Sequence, residues 1–423
     1  MFYCYRLLIA IFFYTALPFL LLFVWLTGRH REGLLERFAF YSLPGRTIKG
    51  GNTYWLHAAS VGEVQAARAI IAALEKMDSN AEIIVTTMTL HGRNIARKQL
   101  KSSIRCFLAP LDIPLIVERA VKKIEPTSYI CIETELWPIL IDCLSRKEVK
   151  VGMANGRISD RAYEKYLKFK VLFQHTMKQF DKMAVISENY RQKYITLGAE
   201  KTTISALGNV KYDLTPPQDR EAIQQKLREL LNIGKSEVFV AGSTHTGEEK
   251  MLLRLYVSKY HHFGRLFLLA PRHIERTAEI ESLLKKEGIE YQLFSNIQNG
   301  SEKRHQALII IDTMGELAQL YSIATYVFCG GSLVRKGGHN IMEAALWHKA
   351  PFYGPYMDDF HDAVDLLESS LCGFQVAGAA DIEKYLLRFK ANPGEYRAAC
   401  QRAGNVAQRL QGCSQKQVVY LLK

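Results

Sequence analysis

YWLHAASVGEVQAARAI (Tyr54–Ile70) is the stretch that decides the fold. A short, largely apolar run, Tyr54–His57, breaks at the turn Ser60-Val61-Gly62, and Glu63 then opens a helical stretch that reaches Met77. Strand, turn and helix follow one another with no spare residues. The rhythm repeats outward from there. Ile83–Thr87, Tyr129–Ile132, Val149–Ala154 and Met183–Ile186 read as buried strands, and His91–Leu100 reads as another helix. Beyond residue 210 the same pattern returns with Val238–Ala241, Leu266–Leu269, Ala307–Ile311 and Tyr326–Cys329. Strands that alternate with helices predict parallel sheets closed by crossover helices, an α/β architecture. The polar segment TPPQDR (Thr215–Arg220) reads as a linker. The expected division is therefore 1–27, 28–210 and 211–423, the last two being doubly wound, Rossmann-like domains that face a cleft.

The chain has 423 residues, 48% hydrophobic and 23% charged, which excludes a disordered or fibrous protein. A formal charge of +13 suggests a polyanionic partner: nucleic acid, an anionic membrane surface or a phosphorylated substrate. Composition does not choose among them. The eight cysteines are scattered with no C-x-x-C pair, so they offer neither a zinc site nor a disulfide framework, and they read as reduced and largely buried.

From Leu7 to Leu26 the sequence carries no charge, and roughly 20 apolar residues suffice for a helix to cross a bilayer core. A cleaved signal peptide is the alternative, but the run is long for one and no A-x-A-like site follows it. Arg29, Arg31 and Arg37 follow the run, whereas only Arg6 precedes it. That bias places the rest of the chain in the cytoplasm. Pro18 leaves a shallow, monotopic insertion open as well as a span.

The chemistry sits where strands end. Glu63, in the first turn of its helix, suits either a plain favourable charge at a helix start or a carboxylate poised to take a proton. ETELWP (Glu133–Pro138) puts Glu133 and Glu135 one residue apart directly after a strand, either as a solvated acidic turn or as part of a site. No D-x-D triplet occurs, so nothing suggests a metal-bridged diphosphate site. The most specific stretch is CGGSLVRKGGHNIMEAA (Cys329–Ala345), whose paired glycines and following helix would let backbone N–H groups approach a phosphate. It is not a P-loop, and Asn340 and Glu343 are the residues best placed to hold a nucleoside. GSTHTGEE with His245, APRHIER with Arg272, and DTMGEL each follow a strand and would face the same cleft. Finally, Arg157–Lys182 carries seven basic residues against three acidic ones with interleaved aromatics. That pattern fits an amphipathic helix with its aromatic face in the core, or a patch for anionic lipid headgroups. Nucleic acid is the less suitable target.

Taken in order, HAASVGE, TTMT, ETELWP, NGRIS, GNVKYD, STHTGEE, PRHIER, DTMGEL and GGSLVRKGGHNIMEAA resemble the Kdo transferase family. These are the membrane-associated enzymes that add 3-deoxy-D-manno-octulosonic acid (Kdo) to a lipid A precursor. The resemblance covers nearly the whole chain. It implies a GT-B fold, CMP-Kdo as donor, a lipid A precursor as acceptor, no cofactor or metal, and a place on the inner membrane with the catalytic domains toward the cytoplasm. It implies Glu63 as general base, with Glu133 and Lys211 supporting the transition state. CMP contacts are implied at Pro271 and Arg272, at Met314, Gly315 and Glu316, and at Asn340, Ile341, Met342 and Glu343, beside His245. Ile341 stands where the family usually has proline, NGRIS replaces the more usual NARLS, and Arg335-Lys336 is more basic than common. A related membrane transferase using a UDP-sugar, or a non-catalytic nucleotide-binding protein, are the alternative readings.

Overall fold

Trp55 and Leu56 in the first strand have no exposed surface, because helices cover both faces of the sheet they belong to. Strands buried this way read as near-continuous apolar runs, which is why they were legible. The computed structural model describes residues 2–28, 31–43, 51–214, 217, 219–260 and 265–423. Arg29 and three positions of the expected linker (215, 216 and 218) lie outside them.

The chain forms two compact units, one ending at Asp213 but taking back Gly412–Lys423, the other Leu214–Gln411. The first holds β1 (Thr53–His57), β2 (Glu82–Thr87), β3 (Arg105–Leu108), β4 (Ser128–Ile132), β5 (Lys150–Gly156), β6 (Lys182–Val185) and β7 (Ile204–Ala206), in the order β3-β2-β1-β4-β5-β6-β7. The pairs in this sheet are parallel, with Leu56 opposite Val85 on one side and Ile130 on the other. Side chains alternate: Trp55, Tyr129 and Met153 pack on one face, Tyr54, Leu56 and Ile130 on the other. The second unit repeats the design with β8 (Glu237–Thr244), β9 (Arg265–Pro271), β10 (Gln292–Leu293), β11 (Leu308–Ile310), β12 (Tyr326–Cys329), β13 (Pro351–Tyr353) and β14 (Phe374–Gln375), ordered β10-β11-β9-β8-β12-β13-β14. Strand order therefore reverses between β1 and β4 and again between β8 and β12. Open parallel sheets bind ligands outside the carboxyl ends of strands at such reversals.

The boundary expected at 210/211 is corrected in two places. Lys211–Asp213 belong to the first unit, and so does the helix Cys413–Leu422. The Asp213 carboxylate accepts the N–H groups of Gly412 at 2.6 Å and Ser414 at 2.8 Å, capping that helix. Val418 and Leu421 then enter the core beside Leu56 and Ile130. The expected linker is also shorter than drawn, since Arg220 already starts a helix that runs to Leu230.

The uncharged N-terminal run lies in one helix, Phe2–Thr27, long and apolar enough to cross a membrane, and Pro18 does not interrupt it. Its inner face is engaged: Tyr5, Ile9 and Phe13 pack against the first unit's core. The Phe2 ring stacks on His175 at 4.4 Å, and Arg6 reaches Glu118 at 3.2 Å. Phe12 and Phe19 on other faces are exposed.

Candidate active site

The turn after β1 is a reciprocal cap. Ser60 Oγ accepts the Glu63 N–H, while the Glu63 carboxylate accepts from Ser60 Oγ at 2.9 Å and from the Ala59 N–H at 2.6 Å. This is a variant of the S-x-x-E cap in which the carboxylate reaches the N–H one residue before the N-cap, so Glu63 has a structural part as a first-turn carboxylate. More than a cap is present, however. Glu63 is 9% exposed, and burial, then Glu135, then Glu133, push its carboxyl up to about 7. A carboxylate of that basicity at a strand's end is suited to accept a proton near neutral pH.

Glu133 follows β4 with φ 61°, a left-handed conformation that costs a non-glycine residue about 1–2 kcal/mol. The strain aims its carboxylate between two cations: Lys211 Nζ donates to Oε1 at 2.6 Å and Arg157 Nε to Oε2 at 2.7 Å. Glu135 accepts from the Trp137 indole at 2.9 Å and lies 3.6 Å from His57 Nε2. His57 in turn meets Thr86 Oγ1 through Nδ1 at 3.0 Å. Arg157 and His57 join this site in addition to the residues expected there. Arg157 was grouped with the basic stretch that follows it, yet it stands one residue past the end of β5, the position that marked the other site residues. The rest of that stretch forms the helices Asp160–Lys168 and Lys170–Met177, with Tyr163, Tyr166 and Phe173 against the core and Phe169 exposed.

Lys211 is held from behind. Its turn, Val210–Tyr212, is capped by Asn209, and the Val210 N–H donates to Asn155 Oδ1 at 2.9 Å. Gln417 of the returning C-terminal helix completes the brace, accepting from the Asn155 N–H at 2.8 Å and donating to the Gly208 carbonyl at 2.7 Å.

In the second unit the reversal between β8 and β12 carries a different chemistry. The glycine-rich turn after β12 was expected to offer its N–H groups to a phosphate, and around its first glycine pair that is corrected: Glu248 occupies the N–H groups of residues 331–333. This carboxylate, fully buried, accepts from Gly331 at 2.7 Å, Ser332 at 3.0 Å, Leu333 at 2.9 Å and His245 at 2.9 Å. The glycines serve packing instead. A Cβ on Gly330 would sit 2.5 Å from the Ser243 carbonyl oxygen, and one on Gly338 2.3 Å from Met357 Sδ.

What remains open to a ligand is a cationic surface. His245 and His339 stack at 5.1 Å with their Nε2 atoms 2.9 Å apart, and His273 meets His245 edge-on at 5.8 Å. Burial, then Arg272 and the neighbouring histidines, hold His339 down at about 4, and burial with His273, Lys336, Arg276 and Arg272 lowers His245. His245 and His339 are thus held toward the neutral form inside a positive field. Burial raises Glu343, with Arg272 opposing it. Asn340 spends its Oδ1 on the Met342 N–H, and Ile341 and Met342, expected to touch CMP, are fully buried and present no surface to a ligand. Pro271 is the last residue of β9, beside β8. Met314, Gly315 and Glu316 stand on the turn after β11, two strands from β8, with Met314 exposed and Gly315 at φ 92°. The helices that follow these turns, Leu317–Leu320 and Met342–Leu346, are too short to present a strong dipole. Among the described residues no group of three or more His, Cys, Asp and Glu side chains is arranged to hold a metal ion.

A family model described as 3-deoxy-D-manno-octulosonic-acid transferase matches residues 32–214, the unit that carries Glu63, Glu133 and Lys211. A 3-deoxy-D-manno-octulosonic acid transferase of Haemophilus influenzae is 32% identical over 407 residues, covering 93% of each chain. The chain belongs to the 3-deoxy-D-manno-octulosonic acid transferase family. It is accordingly a glycosyltransferase. A bifunctional glycosyltransferase/methyltransferase of Fusobacterium nucleatum is 31% identical over 339 residues, and there the match spans only 52% of that longer relative. Among solved structures, a UDP-GlcNAc 2-epimerase from Neisseria meningitidis aligns over 88% of this chain and 99% of its own, with TM-score 0.57 at 12% identity. At that identity the likeness shows the fold alone, and the fold is the GT-B arrangement expected of this Kdo transferase family member.

Proposed function

We propose that this Kdo transferase family member moves Kdo from CMP-Kdo onto the primary hydroxyl of the distal glucosamine of a lipid A precursor, with Glu63 as general base. The observation that carries the reading is Glu63 itself, buried at the β1/β4 reversal and pushed up to about 7 beside two further carboxylates. The acceptor hydroxyl attacks the anomeric carbon, its proton passes to Glu63, and CMP departs. Help of this kind is typically worth about 10²–10⁴-fold. The sugar becomes positive as the bond to phosphate stretches, and Glu133 favours that charge while Lys211 and Arg157 hold the carboxylate in place. The departing phosphate suits the cationic surface around Arg272, Lys336 and the three histidines. A single phosphate leaves less charge to neutralise than a diphosphate, which agrees with a reaction that needs no metal. Direct displacement inverts the anomeric centre. The N-terminal helix would keep the enzyme at the inner membrane, with both units in the cytoplasm where the donor is soluble and the anionic surface within reach.

The test is mass spectrometry of a tetra-acylated lipid A precursor incubated with the protein and CMP-Kdo, with EDTA present. Product heavier by one or more Kdo residues is expected. Absence of product, while a UDP-sugar donates, would overturn the donor assignment.

A further inference from the structure

The Phe2–Thr27 helix does not lie flush on the first unit along its whole inner face. Between it and the domain is a cavity of about 550 Å³, within the 300–1,000 Å³ typical of small-molecule sites. Tyr5, Ile9 and Phe13 form one wall and Leu172 and Phe173 of the Lys170–Met177 helix the other. Its one charged side chain is Asp112, whose two carboxylate oxygens already accept the N–H groups of Leu140 at 2.7 Å and Ile139 at 3.1 Å. The lining is otherwise hydrocarbon and aromatic.

The floor of the cavity connects it to the chemistry. Trp137 lines it, yet the indole N–H of Trp137 is bonded to Glu135 and its ring meets His57 edge-on at 5.9 Å. A molecule seated there has its inner end one side chain from the carboxylates. Exposed Phe169 and the apolar N-terminal helix also line the cavity. A peptide would find few partners for its backbone groups on these walls, and burying them unpaired is costly. A chain of methylene groups needs none.

We propose that this cavity seats one fatty acyl chain of the lipid acceptor, so that the N-terminal helix is part of the acceptor site as well as an apolar membrane segment. The inference rests on the lipid-acceptor reading above. The cavity measures the length of one chain while the sugar hydroxyl is held toward Glu63.

The experiment uses the full-length protein in detergent with two acceptors, the tetra-acylated precursor and the same bisphosphorylated disaccharide stripped of its acyl chains. Wild type is expected to prefer the acylated acceptor in kcat/KM. Ile9→Trp and, from the opposite wall, Leu172→Trp displace two or three methylene groups and lower that preference roughly 15- to 50-fold, through KM. The KM for CMP-Kdo reports whether each variant is folded. A folded variant whose preference is unchanged overturns the acyl-chain site and leaves the transferase reading intact. No transfer by wild type to either acceptor overturns the transferase reading. A tetradecanoyl probe with a terminal diazirine adds a direct readout. It should label the walls carrying Ile9 and Leu172 and be displaced by acylated but not stripped acceptor. Equal displacement by bilayer phospholipid would overturn the assignment to the acceptor.

Discussion

The β1/β4 and β8/β12 reversals occupy the same place in two sheets of nearly the same plan, yet their electrostatics are opposed. At the first, three carboxylates crowd together and one of them, Glu63, is left basic enough to take a proton. At the second, the fully buried carboxylate of Glu248 is consumed by four backbone N–H groups, and the surface shown to a ligand is made of arginine, lysine and histidine. The fold supplies a position at the ends of strands; the turn residues decide whether that position becomes a proton acceptor or an anion seat.

The comparison is broken most directly at Glu63. Glu63→Gln keeps an oxygen for the Ala59 N–H but cannot accept a proton, and kcat should fall by about 10²–10⁴. The same change removes a carboxyl that burial and two like charges resist ionising. A group raised in the fold contributes stability at low pH that is lost as pH rises through about 7, so the variant should melt higher than wild type at pH 8 and close to it at pH 5. An active Glu63→Gln would mean that the first reversal is not the proton-accepting site. The next largest effect is expected at Glu248. Glu248→Ala strands four N–H groups, and the cost should be about 3–5 kcal/mol, seen as a lowered calorimetric transition of the second unit. If the variant instead bound CMP more tightly, those N–H groups would be the phosphate seat after all, with Glu248 as their competitor.

Much of this plan was legible because it is local. Strands buried on both faces give apolar runs, and Glu63, Glu133 and His245 each lie within a few residues of a strand's end. The partners were not legible. Glu248 is on the page as one of two adjacent glutamates in STHTGEE, and nothing in that spelling says that it reaches residues 331–333, more than eighty positions away. Arg157 was hidden in a run of like charges, where composition suggested a surface and a strand end pointed to the site. The stacking of His245 on His339 depends on two turns ninety-four residues apart. The return of Cys413–Leu422 to the first unit begins at one aspartate and a pair of N–H groups, a signal without periodicity.

That return gives a smaller test. Gln417→Leu removes the bonds to the Asn155 N–H and the Gly208 carbonyl, at about 1–3 kcal/mol, and loosens the turn that carries Lys211. Because the brace lies behind the first reversal only, kcat should fall about ten-fold while KM for CMP-Kdo stays within two-fold. A raised donor KM with unchanged kcat would place the effect of the helix in the second unit.

The smallest expected effect is also the one that separates the two sites without a mutation. Burial disfavours charge whatever its sign, so it raises Glu63 to about 7 and lowers His339 to about 4. Between pH 6 and pH 8 the glutamate therefore changes state and the histidine does not. With Glu63 as base, kcat/KM should climb through about pH 7, approaching ten-fold lower at pH 6 than on the plateau. Over the same range KM for the donor, a phosphodiester whose own charge is constant, should stay flat because His339 neither gains nor loses a proton there. A donor KM that improved toward pH 6 would show a histidine charging in that window, and the second site would then be a pH-gated anion seat and not a fixed one.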